Sequence, residues 1–287
     1  MMRDLGGTAK GGIEVSGLCR EFDLGSRKSL VISDCSFDLP AGMLTVMIGP
    51  SGCGKSALAK LIAGYDTPSS GTIRIDGRPV TGAGRDRLMV FQESALFDWM
   101  TTQDNALFGP SQKRGGADEA SKALTASLLE LVGLTRFTKR YPAALSGGMQ
   151  RRLEMVRALA NAPDLFILDE PFRGLDAMTR GLMQQHFADM FEETRRTTLF
   201  ITTEIDEALL LADRILIMTN KPMSVAAEII VDLPRPRKQY ELLRNEHAAA
   251  IRNRALELLF PEAMKSFGYS EGSEDRTARQ VNVSVRS

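Results

Sequence analysis

Residues Gly49 to Ser56 read G-P-S-G-C-G-K-S, and this stretch decides the fold. An apolar run, Leu44 to Ile48, leads into it and a helical pattern begins near Lys55, so a glycine-rich loop feeds a helix N-terminus. Gly49, Gly52 and Gly54 let successive N–H groups turn inward, where the helix dipole adds partial positive charge. Lys55 can then reach the β- and γ-phosphates of a nucleotide, and the Ser56 hydroxyl can ligate Mg²⁺. A glycine turn ahead of a core helix has a similar composition. With every fixed position matched, and strand and helix on the correct sides, the stretch reads as a cradle for a nucleoside triphosphate.

Further along, Leu165 to Leu168 is a short unbroken apolar run ending in Asp169-Glu170, as a central parallel strand should. In a chain with a phosphate loop, the first carboxylate is placed for the Mg²⁺ shell and the second to polarise a water for attack on the γ-phosphate. Gln92 follows another buried run, Leu88 to Phe91, and strand ends in open α/β sheets are where ligand groups gather. Between them Leu145 to Gln150, L-S-G-G-M-Q, runs into a helix with Leu153, Val156 and Leu159 on one face. Ser146, Gly147 and Gly148 there are either a second anion site or an N-cap with a flexible entry. Phe22, upstream of the loop, is either a core residue or an aromatic on which adenine stacks.

The rest of the chain supplies the frame. Short alternating runs at Ile13 to Val15, Ser36 to Leu39 and Thr72 to Ile75 read as strands. Residues 94–160 are mostly helical in pattern and read as an inserted helical subdomain, in which Ala117 to Val132 carries Leu124, Leu128, Leu131 and Val132 on one face. Phe97, Trp99 and Met100 precede it, as core or as a partner contact. Strand-like Thr198 to Thr202 and Arg214 to Met218 alternate with helical Thr179 to Thr194 and Asp206 to Leu211, and Val225 to Val231 fits a last strand. Such alternation after a phosphate loop predicts an α/β fold with a mainly parallel sheet flanked by helices. Residues 233–238 read as a basic, proline-broken, solvated connector to a final helix, Glu241 to Leu259, while residues 1–12 and 265–287 read as disordered.

Composition narrows the partners. Among 287 residues, Lys+Arg and Asp+Glu both number 36, which gives no electrostatic case for nucleic acid. The sequence contains neither a run of about 18 apolar residues nor an apolar segment near the start that suits a secretory signal, so any membrane role is expected to come through a partner chain. Cys19, Cys35 and Cys53 lack zinc spacing and suit free thiols in a reducing cytoplasm. Alkylation of Cys53, inside the loop, is expected to block nucleotide.

Taken together the phosphate loop, Gln92, LSGGMQ, LFILDE and Gly174-Leu175-Asp176 resemble, in order and spacing, the ATP-binding cassette (ABC) ATPases over residues 13–232. The resemblance implies a P-loop NTPase with a RecA-like core, an antiparallel β subdomain and the inserted helical subdomain. It implies nucleotide contacts from Phe22, from Gly49, Pro50, Ser51, Gly52, Cys53, Gly54, Lys55, Ser56 and Ala57, and, from a second cassette paired head to tail, Ser146, Gly147 and Gly148. It assigns Mg²⁺ to Ser56, Asp169 and Gln92, the general base to Glu170, and communication across the dimer to Asp176. The run FQESALFDWMTTQDNALFG and the DLPRPR connector look like nitrate, sulfonate and taurine importer cassettes. By that likeness the chain works at the cytoplasmic side of the inner membrane, its helical subdomain receiving a coupling helix from a separate permease served by a periplasmic or extracellular solute-binding protein.

One departure stands out. The family reads Thr-His-Asp after the last core strand, whereas this chain has Thr202-Thr203-Glu204. Thr203 keeps a neutral donor with shorter reach, and a water can bridge the gap. Losing one charge-assisted hydrogen bond costs about 1.5–3 kcal/mol, on the order of ten- to a hundredfold in rate. The expectation is slow ATP hydrolysis; the alternative is a regulatory cassette that binds ATP and pairs with a second ATPase subunit.

Overall fold

The computed structural model describes residues 9–266 apart from 24, 26–27, 93–94, 113–114 and 162. Its strands β1 (Ile13–Asp23), β2 (Lys28–Leu39) and β3 (Leu44–Ile48) lead into helix α1 (Lys55–Ala63), followed by β4 (Ser70–Ile75), the two-residue β5 (Arg78–Pro79) and β6 (Arg87–Val90). Three helices come next, α2 (Thr102–Ser111), α3 (Glu119–Leu131) and α4 (Gly147–Ala160). Then β7 (Leu165–Asp169), α5 (Ala177–Thr194), β8 (Thr197–Thr202), α6 (Ile205–Leu211), β9 (Arg214–Met218) and β10 (Val225–Ile230) alternate before α7 (Gln239–Leu242) and α8 (Glu246–Ser266).

Two sheets form. The larger has order β10-β9-β3-β8-β7-β6 and is parallel except for β10, which runs antiparallel to β9. The smaller, β2-β1-β4-β5, is antiparallel throughout. In the parallel sheet alternate residues feed two different cores, which is why its strands are continuous apolar runs rather than alternating ones. Val46, Phe166, Leu168, Phe200 and Ile215 face a core shared with α5, α6 and α8. Met47, Ile167, Leu199 and Leu216 face one shared with α1 and the antiparallel sheet. Phe172, Phe187 and Phe200 pack within 5.6–6.3 Å of one another, centroid to centroid.

A third core lies among α2, α3 and α4, built on Ala106, Leu128, Leu129, Leu153 and Val156. Here the face expected of α3 is rotated. Leu128 and Val132 are buried, but Leu124 and Leu131 are 41% and 47% exposed, and Thr125 and Leu129 take their places. Thr125 can be buried because its hydroxyl donates to Ser121 O within the helix at 2.7 Å.

Both ends of the chain differ from expectation too. Residues 1–8 and 267–287 lie outside the described residues, but Gly11 and Gly12 donate their N–H groups to the Asp76 carboxylate at 2.9–3.0 Å. The C-terminal helix is two helices, broken where Asn245 Oδ1 accepts the Ala248 N–H. The basic connector is only partly solvated: Pro234, Pro236 and Lys238 are exposed, but its two arginines are not. Arg237 is 4% exposed and donates to the carbonyls of Leu209, Ala212, Val231 and Leu233, while Arg235 pairs with Glu192 and Asp213 over the Phe191 ring. Those carbonyls lie at strand and helix ends left open by the secondary structure, and a planar five-donor guanidinium can satisfy several at once.

Candidate functional site

Parallel pairing brings the expected site residues to one rim. Ile48 is in register with Thr202, Ile201 with Asp169, and Leu168 with Val90, so the loop after β3, the Asp169-Glu170 pair, Thr203 and Gln92 all leave the same edge of the sheet. Strand register, not sequence proximity, does this.

At the centre the phosphate loop wraps the Lys55 side chain, whose Nζ donates to Gly49 O and Pro50 O, both at 2.8 Å. Gly54 is the N-cap of α1 and has φ 128°, a conformation only glycine adopts readily, and a Cβ there would lie 2.9 Å from Val31. No side chain caps this helix, so its first N–H groups are left for a ligand. Ser51, Gly52 and Ser56 are exposed on the loop, Ala57 is half-buried, and Cys53 is buried beneath it with its Sγ 3.9 Å from Lys55 Nζ. Burial pushes the Cys53 thiol up, partly offset by Lys55.

Asp169 is 3% exposed and its Oδ1 has no hydrogen-bond partner. Burial raises its carboxyl, against a hydrogen bond from the Ser56 hydroxyl that lowers it. A buried carboxylate oxygen with no partner, next to a hydroxyl, is what a hard divalent cation requires. Glu170 takes a left-handed backbone, φ 45°, anchored by its N–H to Ile201 O at 2.9 Å. Such a conformation is uncommon in a non-glycine residue and concentrates at functional sites. Its Oε2 lies 2.8 Å from Arg173 Nη1.

Thr203 is exposed and borders a cavity of about 200 Å³ with Ser51, Glu170, Arg173 and Arg180. Neither histidine stands in for it: His186 lines a separate cavity beside Arg152 and Met183, and His247 pairs with Asp232 at 2.6 Å. Gln92, exposed beyond β6, borders a smaller cavity with Gly147, Arg151 and Arg173. Ser146 caps α4, its Oγ accepting the Met149 N–H at 3.3 Å, and Asp176 caps α5 through the Thr179 N–H at 3.0 Å. Hydrogen bonds from the Thr179 hydroxyl, and then from its N–H, hold the Asp176 carboxyl below its ordinary value. No signature residue, Ser146 to Gly148, borders the Ser51 and Glu170 cavity of the same chain. Phe22 is half-buried on β1, with the Arg20 guanidinium 4.5 Å over its ring.

The sequence reading missed Arg151. Its Nη1 donates to Phe91 O at 2.8 Å and to Glu154 Oε2 at 2.7 Å, and its Nε donates to Pro171 O. It thus ties the helix behind LSGGMQ to the strand end carrying Gln92 and to the turn after Glu170. The only sequence signal was an arginine and a glutamate one helical turn apart on the apolar face.

Comparison with known proteins agrees with this geometry. The family model described as ABC transporter matches residues 32–173. The chain is 41% identical over 219 residues to the taurine import ATP-binding protein TauB of Roseobacter denitrificans, covering 76% of this chain and 81% of that one. It is 39% identical over 233 residues to the nitrate import ATP-binding protein NrtD of Synechococcus elongatus, covering 80% and 85%. A solved dimeric ATP-binding cassette in a post-hydrolysis state, bound to ADP and Pi, superposes with a TM-score of 0.69 at 26% identity, covering 77% of this chain and 100% of that one. The rim of phosphate loop, paired carboxylates and signature helix, together with these likenesses, places the chain in the family of ABC transporter ATP-binding subunits.

Proposed function

We propose that the chain is the ATP-hydrolysing subunit of an importer for a small solute of the nitrate, sulfonate or taurine kind. The observation that carries this is the delivery of Lys55, Asp169 and Glu170 to one rim by β3 and β7, with β8 between them. Lys55 and the α1 N–H groups bind the phosphates, and Glu170 takes the proton of the attacking water. The unpartnered Asp169 Oδ1 and the Ser56 hydroxyl fit Mg²⁺, with Gln92 nearby. When bound, the ion would neutralise charge on the β- and γ-phosphates.

The signature residues Ser146, Gly147 and Gly148 do not border the Ser51 and Glu170 cavity of their own chain, which suits a second cassette closing head to tail, with Asp176 at the seam. Phe22 is the stacking aromatic for adenine in this reading. Among the described residues no helix is long and apolar enough to cross a membrane. In this reading transport runs through separate permease subunits, fed by a solute-binding protein, with this chain on the cytoplasmic side of the inner membrane. A groove of about 610 Å³ lined by Tyr65, Met89, Phe91, Phe97 and Phe108 lies between the sheet and the helical subdomain, beside the 73%-exposed Trp99, and is where a permease helix would seat.

Thr203 supports a second reading, a cassette that binds ATP and leaves hydrolysis to an unlike partner. Steady-state ATP hydrolysis by wild type and Glu170→Gln decides between them. Hydrolysis that vanishes in Glu170→Gln supports the first; a wild type that is inactive until Thr203→His is introduced supports the second.

A further inference from the structure

The cavity beside Thr203 is lined by two arginines, Arg173 and Arg180, that none of the motifs explains. Three carboxylates border it, those of Glu170, Glu204 and Glu207, so a γ-phosphate arriving next to Ser51 meets like charge unless a cation faces it. In the proposed reading Lys55 serves the phosphates from the loop side, where its Nζ donates to Gly49 O and Pro50 O. Arg180 also borders the cavity, where no ion pair holds it against Glu170. Arg173 is different: its guanidinium lies 2.8 Å from Glu170 Oε2 with 62% of the side chain exposed, and it borders both this cavity and the one at Gln92. Its backbone is fixed by an N–H to Glu170 O at 3.1 Å, so the head can change partner while the backbone stays in place.

We propose that Arg173 is a catalytic residue of ATP hydrolysis: with ATP bound to the same chain, its guanidinium leaves Glu170 and donates to the γ-phosphate, supplying the contact that Thr203 is too short to make. The inference rests on the chain being an ATPase. In the reaction the water oxygen bonds to the γ-phosphorus, and the bond to the β,γ-bridging oxygen breaks with its electron pair going to ADP. The water's proton passes to Glu170. Arg173 neutralises charge on the non-bridging γ-oxygens, for which its planar fork is suited. The exchange of partners also frees the base only when the γ-phosphate is present. Two tasks therefore fall to one side chain.

The test uses the purified full-length chain and measures ATP turnover together with affinity for ADP and for the non-hydrolysable β,γ-imido analogue of ATP. For Arg173→Ala the expected result is a fall in kcat of about ten- to a hundredfold, a similar loss of analogue affinity, and unchanged ADP affinity, because ADP lacks the γ-phosphate. Arg173→Lys should keep part of the activity, and Thr203→His should restore part of it to Arg173→Ala. Wild-type turnover in Arg173→Ala, or equal loss of ADP and analogue affinity, overturns the proposal. So does faster turnover, which would make the Glu170 pair an inhibitory clamp. If the wild type hydrolyses no ATP, the ATPase reading fails, and the difference between ADP and analogue still decides whether Arg173 touches the γ-phosphate.

Discussion

Arg151 Nη1 lies 2.7 Å from Glu154 Oε2, one helical turn away, with both side chains almost wholly buried. The same guanidinium reaches Phe91 O and Pro171 O, so a single residue of the signature helix touches the strand ends that carry Gln92 and Glu170. Movement of α4 is therefore mechanically linked to both. In the proposed reading, such a link would couple hydrolysis to a permease docked on the helical subdomain.

Removing one partner of this pair leaves the other charge buried. Glu154→Ala should cost about 3–5 kcal/mol, read as a shift in the urea unfolding midpoint, and Arg151→Met combined with Glu154→Leu should recover part of that loss. A double variant no more stable than Glu154→Ala would show that the carbonyl contacts of Arg151, and not the ion pair, dominate.

Arg237 offers a second test of buried charge. Burial lowers its guanidinium to about 10, still protonated at neutral pH. Arg237→Leu leaves the carbonyls it served without a donor and should destabilise by about 3 kcal/mol or more, and Arg237→Lys, which cannot fork, should recover little. Thermal denaturation followed by circular dichroism checks both.

Glu207 is buried and accepts a hydrogen bond from Gln184 Nε2 at 2.8 Å. Burial raises its carboxyl above the ordinary 4.5. The protonated form thus favours folding; the stability it contributes is complete below about 4.5 and declines as the pH rises toward and through the raised value. Glu207→Gln, which keeps an acceptor for Gln184, should flatten the fall in stability above pH 4.5 and leave the protein more stable than wild type at pH 8. Unfolding midpoints measured across that range test the sign directly.

The thiols should differ in reactivity. Cys35 is buried and its thiol is pushed up to about 12, Cys53 is buried with its thiol raised, and Cys19 is half-exposed. Iodoacetamide at neutral pH should label Cys19 first and Cys53 only after the phosphate loop opens. Peptide mass spectrometry of a labelling time course reads the order, and early modification of Cys53 would mean that the loop opens readily without nucleotide.

Much of the site was legible because phosphate chemistry constrains local sequence. A loop that must turn its amides inward needs glycine at fixed spacing, and a central strand that ends in two carboxylates announces itself by an unbroken apolar run. The α3 face was misjudged because Thr125 hides its hydroxyl within its own helix, so burial there does not follow hydrophobicity. Arg235 and Arg237 were read as solvated because a charge run carries no mark of the carbonyls it will meet.

By itself, then, the sequence determined the phosphate loop, the strand ends that carry Asp169, Glu170 and Gln92, and the absence of a histidine at Thr203, since each depends on residues adjacent in the chain. Only the tertiary structure decided that the local Glu170–Arg173 pair meets Thr203 and Ser51 at one cavity and that Arg151 joins the signature helix to the strand ends carrying Gln92 and Glu170. Those contacts depend on the parallel register of β3, β8, β7 and β6 and on the turn after Glu170. Backbone hydrogen bonding between distant segments fixes that geometry, and no local pattern of residues encodes it.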